Sequence, residues 1–167
     1  MGKQPGTYAL ILRIPTGRYV CIGRLGWLSL DPGFYVYVGS AFGPGGLLAR
    51  LARHDVLAKK PHWHIDYLRR YAVLQEAWYT LDVDRREHQW ANVFRELAGT
   101  SEPLSGFGAS DCRCSSHLFY FPKPPSCRRF SQRVHALSPA HAVVTGIHAQ
   151  HGRLLRHGVP NARRLRH

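Results

Sequence analysis

Gly33-Phe34-Tyr35-Val36-Tyr37-Val38-Gly39-Ser40-Ala41, running into Gly45-Gly46-Leu47-Leu48-Ala49-Arg50-Leu51-Ala52-Arg53-His54, is the stretch from which the rest of the chain is read. Aromatic residues alternate with valines from Phe34 to Val38, the period of a strand. Gly39, Gly43, Gly45 and Gly46 then break the run and permit positive φ or close backbone approach. Leu47, Leu48, Leu51 and Ala52 form an apolar stripe at helical spacing, with Arg50 and His54 one turn apart on a common face. Strand, glycine loop and basic helix in this order offer a phosphate three things. They are backbone N–H donors, the positive end of a helix dipole, and a cation one turn in.

Upstream, Gly6 to Ile14 alternates Tyr8, Leu10, Leu12 and Ile14 with Thr7, Ala9, Ile11 and Arg13. This is a strand with two fairly apolar faces. Pro15-Thr16-Gly17 is a turn, and Arg18–Gly23 returns as a second strand, so these two are expected to pair as a hairpin. Gly26–Leu30 is a short third piece. Downstream, helices are expected at 46–57 and 64–70 and a strand at 72–81. A further helix at 85–98 would be capped by Asp84 and closed by Gly99, and a last strand covers 116–121. Short strands interspersed with helices define an α+β domain, a small mixed or antiparallel sheet with helices packed on it. From residue 123 on, Pro, Ser, His and Arg dominate. The segment 123–167 is expected to be a loosely ordered basic tail with one short helix near Ala142–His148, leaving 1–122 as the folded domain.

With 167 residues and 44% hydrophobic content, the chain can bury one core. No apolar run approaches the ~20 residues of a membrane helix. Met1-Gly2-Lys3-Gln4-Pro5 lacks the apolar core of a signal peptide. A cytoplasmic protein without membrane attachment is therefore expected, and its four cysteines do not form a disulfide framework. The net charge of +13 is uneven. Residues 1–111 hold 13 Lys and Arg against all 10 Asp and Glu, whereas residues 112–167 hold 10 Lys and Arg and no acid. Such a segment favours polyanions, most simply nucleic acid, or else is a solvated basic tail.

Residues with chemistry are sparse. Glu87 lies three and four residues before Trp90 and Ala91, so a carboxylate projects onto the apolar face of its helix. It is costly there unless paired or bound to a cation, or it simply complements the helix dipole. Tyr8 and Tyr37 could reach one end of the sheet if their strands pair, or pack as ordinary core tyrosines. Cys112, Cys114 and His117, with Cys127 as a fourth ligand, make a candidate Zn²⁺ set. A thiol and histidine cluster without metal is the stronger reading of the two.

Gly6-Thr7-Tyr8, Tyr37-Val38-Gly39-Ser40, Leu47 with Arg50 and His54, and the helical Glu87 together resemble the GIY-YIG endonuclease superfamily. His62-Trp63-His64-Ile65-Asp66-Tyr67-Leu68 and the stretch from Gly106 to Leu118 resemble one small branch of it. That branch is a domain of unknown function found alone or fused to endonuclease III-type repair glycosylases. Threonine and valine stand at the middle positions of the two motifs, and an inserted hairpin at Arg18–Leu30 lengthens the gap between them.

The resemblance implies a metal-dependent endonuclease hydrolysing DNA phosphodiester bonds, in a repair setting and with a repair protein as a conceivable partner. Glu87 would bind one Mg²⁺ or Mn²⁺, and Tyr8 would act as general base or proton relay. Arg50 would stabilise charge on the phosphate. Tyr37 and His54 would position water or phosphate. Ser40, Arg53, Lys59, Lys60 and His64 are the candidate nucleic-acid contacts, while for the His62–Asp66 segment a bracket around a buried Trp63 is the stronger reading than phosphate or metal contacts at the rim. A non-catalytic nucleic-acid-binding module on a degenerate nuclease fold is the alternative.

Overall fold

The structure is a computed structural model, and it describes residues 3–98, 101–109, 112–156 and 159–160. The element order is β1 (Thr7–Ile14), β2 (Arg18–Cys21), β3 (Trp27–Leu30), β4 (Gly33–Ser40), α1 (Gly46–Asp55), α2 (His64–Arg69), β5 (Val73–Thr80), α3 (Glu87–Leu97), β6 (Leu118–Phe121), α4 (Cys127–Leu137), β7 (Val144–His148), β8 (Leu155–Arg156) and β9 (Val159–Pro160). Five strands form one sheet in the order β6-β4-β1-β5-β7, antiparallel at every pairing. The expected α+β architecture is present.

β1 is central because both of its faces are apolar, so neither can face water. Tyr8, Leu10, Leu12 and Ile14 join Leu47 and Leu51 of α1, Ile65 and Leu68 of α2 and Val20, Ile22, Leu28 and Leu30 in one core cluster. Ala9 and Ile11 point to the opposite side. There Val36, Val38 and Trp78 of the sheet meet Trp90, Ala91, Val93 and Phe94 of α3 and Phe130 and Val134 of α4. The sheet is thus covered on both faces.

The hairpin expectation is corrected. β2 does not pair with β1; it pairs with β3 in a separate two-stranded sheet, while β1 takes β4 and β5 as neighbours. The β2–β3 unit instead lays Val20 and Leu28 onto the α2 side of the core. Asp84 is no helix cap either, for Arg86 is the residue that precedes α3. The Thr7 hydroxyl accepts the Arg86 backbone N–H at 3.1 Å, and Asp82 accepts from Arg86 Nε at 3.0 Å. Gly99, expected to close that helix, lies outside the described residues.

The boundary at residue 122 is also revised. α4 and β7 belong to the domain: Phe130 and Val134 are fully buried, and β7 extends the sheet beside β5 where a short helix was expected. The indole N–H of Trp90 donates to His141 Nε2 at 2.9 Å, and the Ala142 N–H donates to Asp82 at 2.9 Å. Residues 161–167 lie outside the described residues. No helix among the described residues is long and apolar enough to cross a membrane.

Candidate functional site

Antiparallel pairing of β1 and β4 sets Tyr8 opposite Gly39 and Leu10 opposite Tyr37. The two tyrosine rings meet edge-on, 6.4 Å apart. Gly39 is required by this arrangement, since a Cβ there would lie 2.5 Å from the Tyr8 ring and hydroxyl. β4 then delivers Ser40, α1 delivers Arg50 and His54, and the first turn of α3 delivers Glu87 and His88. These side chains converge on a pocket of about 590 Å³, lined by Tyr8, Tyr37, Ser40, Arg50, Glu87 and His88, with Trp63, His64 and Arg85 on its walls.

Behind the pocket wall, fully buried His54 meets Tyr8 at 2.7 Å, Nε2 to Oη. Burial pulls the His54 pKa down to about 3, and the nearby Lys59, Arg69 and Arg50 cations add to the effect. His54 is therefore neutral at pH 7, and its Nε2 accepts the phenol proton. Its Nδ1 is buried without a hydrogen-bond partner among the described residues. Burial, then the proximity of Tyr37, raises the Tyr8 pKa well above that of a free phenol; Arg50 opposes this but does not overcome it. Tyr37 is likewise raised, by burial and then by Glu87. A standing Tyr8 phenolate is thus disfavoured.

Neutral His54 makes a testable demand on stability. Its folded pKa lies below its unfolded one, so protons bind the unfolded chain preferentially as pH falls through the window between them. Stability is full above pH 6.5 and is lost on acidification. Between pH 7 and 5 His54 alone removes about 2 kcal/mol. Urea titrations at the two pH values should show this drop, and His54→Gln should flatten it. His64 and His141 are also lowered by burial and contribute in the same direction in both proteins. An unchanged pH slope in the variant would contradict the burial of a neutral imidazole.

Glu87 stands at the start of α3 with a side chain 23% exposed and Oε1 3.0 Å from His117 Nδ1. Burial pushes its pKa up, but His117, a hydrogen bond from Ser40 and the nearby His88 outweigh it, and the carboxylate is held below the ordinary glutamate range. An ionised carboxylate on a pocket wall fits a hard divalent cation.

The expected rim contacts divide. Trp63 is sandwiched, with the Arg50 guanidinium 4.4 Å and the Arg53 guanidinium 4.3 Å from its ring centre. Asp66 accepts the His62 and Trp63 N–H groups at 2.8 and 3.0 Å and pairs with Arg53 at 2.8 Å, capping α2. Lys59 donates to the Arg53 and Val56 carbonyls at 2.6 Å each. Arg53 and Lys59 therefore brace the α1–α2 connection and do not line the pocket. Lys60 is exposed, off the pocket wall. Ser40 and His64 do line it, although His64 Nδ1 already accepts the Gly108 N–H at 2.9 Å.

The phosphate cradle expected at the start of α1 is overturned. The Gly46 N–H donates to Gly43 O at 3.2 Å and the Leu47 N–H to Gln4 O at 2.8 Å, so the loop itself and the N-terminal segment occupy those two donors.

Two pocket residues escaped sequence reasoning. Arg85 sits in an irregular segment before α3, its guanidinium 4.6 Å from the centre of the Phe42 ring, and no periodicity marks it. His88 is adjacent to Glu87, the one signal that could have found it. Together with Cys112, Cys114 and His117 it forms a cluster that could hold a metal ion, with one donor atom from each residue all within 4.8 Å of one another. Cys127, the fourth ligand expected from sequence, is not part of that cluster; it packs at the edge of the α3–α4 core.

An antiparallel sheet with helices on both faces and a polar pocket at one end of its two central strands thus defines an α+β domain. Residues 7–138 match the family model described as domain of unknown function DUF123, and the chain belongs to that family. The match runs through α4, in keeping with the packing of that helix in the core. No curated protein and no solved structure matches the chain.

Proposed function

We propose that this protein is a metal-dependent phosphodiesterase of the GIY-YIG type, cutting DNA at the pocket between β1, β4, α1 and α3. The observation that carries this reading is the convergence of Tyr8, Tyr37, Arg50 and Glu87, from four separate elements, on one pocket. Glu87 would hold one Mg²⁺ or Mn²⁺, which when bound supplies Lewis acidity toward the phosphate and its attacking water. Arg50 is fixed over Trp63 and stabilises charge that grows on the phosphate oxygens. Tyr8, its hydroxyl fixed on neutral His54 Nε2, would accept a hydrogen bond from the attacking water and orient it, the water's proton leaving to solvent once a bound metal has made it acidic, so no free phenolate is needed. Tyr37 and Ser40 shape the wall on which water and phosphate are positioned. A repair context and a repair-protein partner follow from the same family resemblance.

Conversion of supercoiled plasmid to nicked and linear forms tests the proposal. The wild type cuts with Mg²⁺ or Mn²⁺ and not with EDTA. Arg50→Ala is expected to retain its circular dichroism spectrum and lose about 10²–10³-fold in rate, as for removal of one preorganised charge-stabilising group. If the wild type shifts DNA in gels without cutting it under any divalent metal, the protein is a binding module instead.

A further inference from the structure

The pocket's outer wall carries a second cluster, and its chemistry differs from that of Glu87. Cys112 and Cys114 lie on the segment between Gly106 and β6, His117 at the end of that segment, and His88 on the first turn of α3. Four donors, two sulfur and two imidazole nitrogen, fall within 4.8 Å of one another. In a tetrahedral site with Zn–S near 2.3 Å and Zn–N near 2.05 Å, donors are separated by about 3.3–3.8 Å. Cys112 Sγ and His117 Nε2 are already 3.3 Å apart, and modest rotation of the partly exposed Cys114 and exposed His88 closes the remainder.

We propose that His88, Cys112, Cys114 and His117 form a four-ligand site for Zn²⁺. Two thiolates and two imidazoles suit a borderline-soft d¹⁰ ion and disfavour Mg²⁺, which requires oxygen. Four protein donors complete the tetrahedron and leave no open position, so the ion is structural. On binding, each thiol gives up its proton to solvent and two Zn–S bonds form, with no change in oxidation state.

The site ties the 106–117 segment to α3. The ion would add to ties that segment already has, among them Arg95 of α3 donating to the Ser115 hydroxyl, the Val38 N–H donating to His117 O and the Gly108 N–H donating to His64 Nδ1. The ion also assigns a role to His117. With Nε2 on zinc, the ring proton must sit on Nδ1, which lies 3.0 Å from Glu87 Oε1. His117 Nδ1 makes no hydrogen bond among the described residues as it stands, and a small turn of the Glu87 carboxylate toward it would complete a carboxylate–histidine–zinc arrangement. Cys127 and Cys21 lie outside the cluster and take no part.

Metal content of the full-length chain tests this independently of cutting. After incubation with Zn²⁺ and desalting, the wild type, Cys21→Ser and Cys127→Ser should each carry one zinc per chain by inductively coupled plasma mass spectrometry. Cys114→Ser and His88→Ala should each lose at least tenfold. His88 is exposed, so its loss of zinc would not reflect misfolding. Co²⁺ in place of Zn²⁺ should give the visible bands of a tetrahedral site and a thiolate charge-transfer band, both absent in Cys112→Ser. A wild type that retains no zinc, undiminished zinc in Cys114→Ser or His88→Ala, or zinc lost in Cys127→Ser overturns the assignment. A zinc-loaded protein that fails to cut DNA leaves this site standing and rejects only the nuclease reading.

Discussion

Glu87→Gln is expected to lower Mg²⁺-dependent plasmid nicking about 10³-fold, the scale on which a preorganised electrostatic group acts at a reacting phosphate. The substitution keeps the shape of the side chain and its capacity to accept from Ser40, and removes the charge that a hard cation requires. Glutamine's neutral oxygen is a poor ligand for Mg²⁺, and raising the metal concentration should recover only a small part of the rate. Two controls separate this from damage to the fold. Zinc content should stay at the wild-type level, because all four donors of that site are kept and the glutamine amide oxygen still faces His117 Nδ1. The thermal midpoint should change by no more than a few degrees, since the carboxylate is partly solvated. Undiminished nicking by Glu87→Gln would remove this residue from the reaction and, with it, the hydrolase proposal.

Phe130→Ala is expected to cost about 3–5 kcal/mol, the range for emptying a buried aromatic site. Phe130 is fully buried. Its ring stacks on Phe94 with centres 4.3 Å apart and planes 10° from parallel, and it meets Trp90 edge-on at 4.9 Å. In a chain of this size each kcal/mol moves the midpoint by about 2–4 °C, so calorimetry should record a fall of about 6–20 °C. Arg128→Ala and Arg129→Ala, on the exposed face of the same helix, should stay within about 0.5 kcal/mol of the wild type. Ending the chain at residue 122 should abolish cooperative unfolding, because it deletes α4 and the edge strand β7 together. A Phe130→Ala protein as stable as the wild type would mean that α4 is not part of the core.

These two tests probe opposite ends of what could be read from the residues. Glu87 is marked by a local conflict, a carboxylate on an apolar helix face, and such conflicts concentrate at functional sites. Phe130 carries no comparable mark. Of the α4 residues only Phe130 and Val134 are buried, so a two-member stripe is diluted by Arg128, Arg129, Arg133 and His135. High positive charge in that segment reads as a solvated tail, while the aromatic cluster that recruits the helix is assembled from β5, α3 and β6. β7 is hidden for a similar reason: it is five residues long, contains Gly146 and adds to an existing sheet edge.

The chain's own periodicities were sufficient to define β1, β4, α1 and α3, and the family resemblance picked out Tyr8, Tyr37, Arg50 and Glu87 on them. Alternation and helical spacing report which face of an element is apolar, and that is a local property. Which element covers the face is not local. Only the folded molecule could decide that β1 lies between β4 and β5, that Arg53 and Lys59 brace Trp63 and Asp66, and that His88 replaces Cys127 beside Cys112, Cys114 and His117. Partner choice depends on shape and charge brought together across tens of residues, and no single window of sequence contains it.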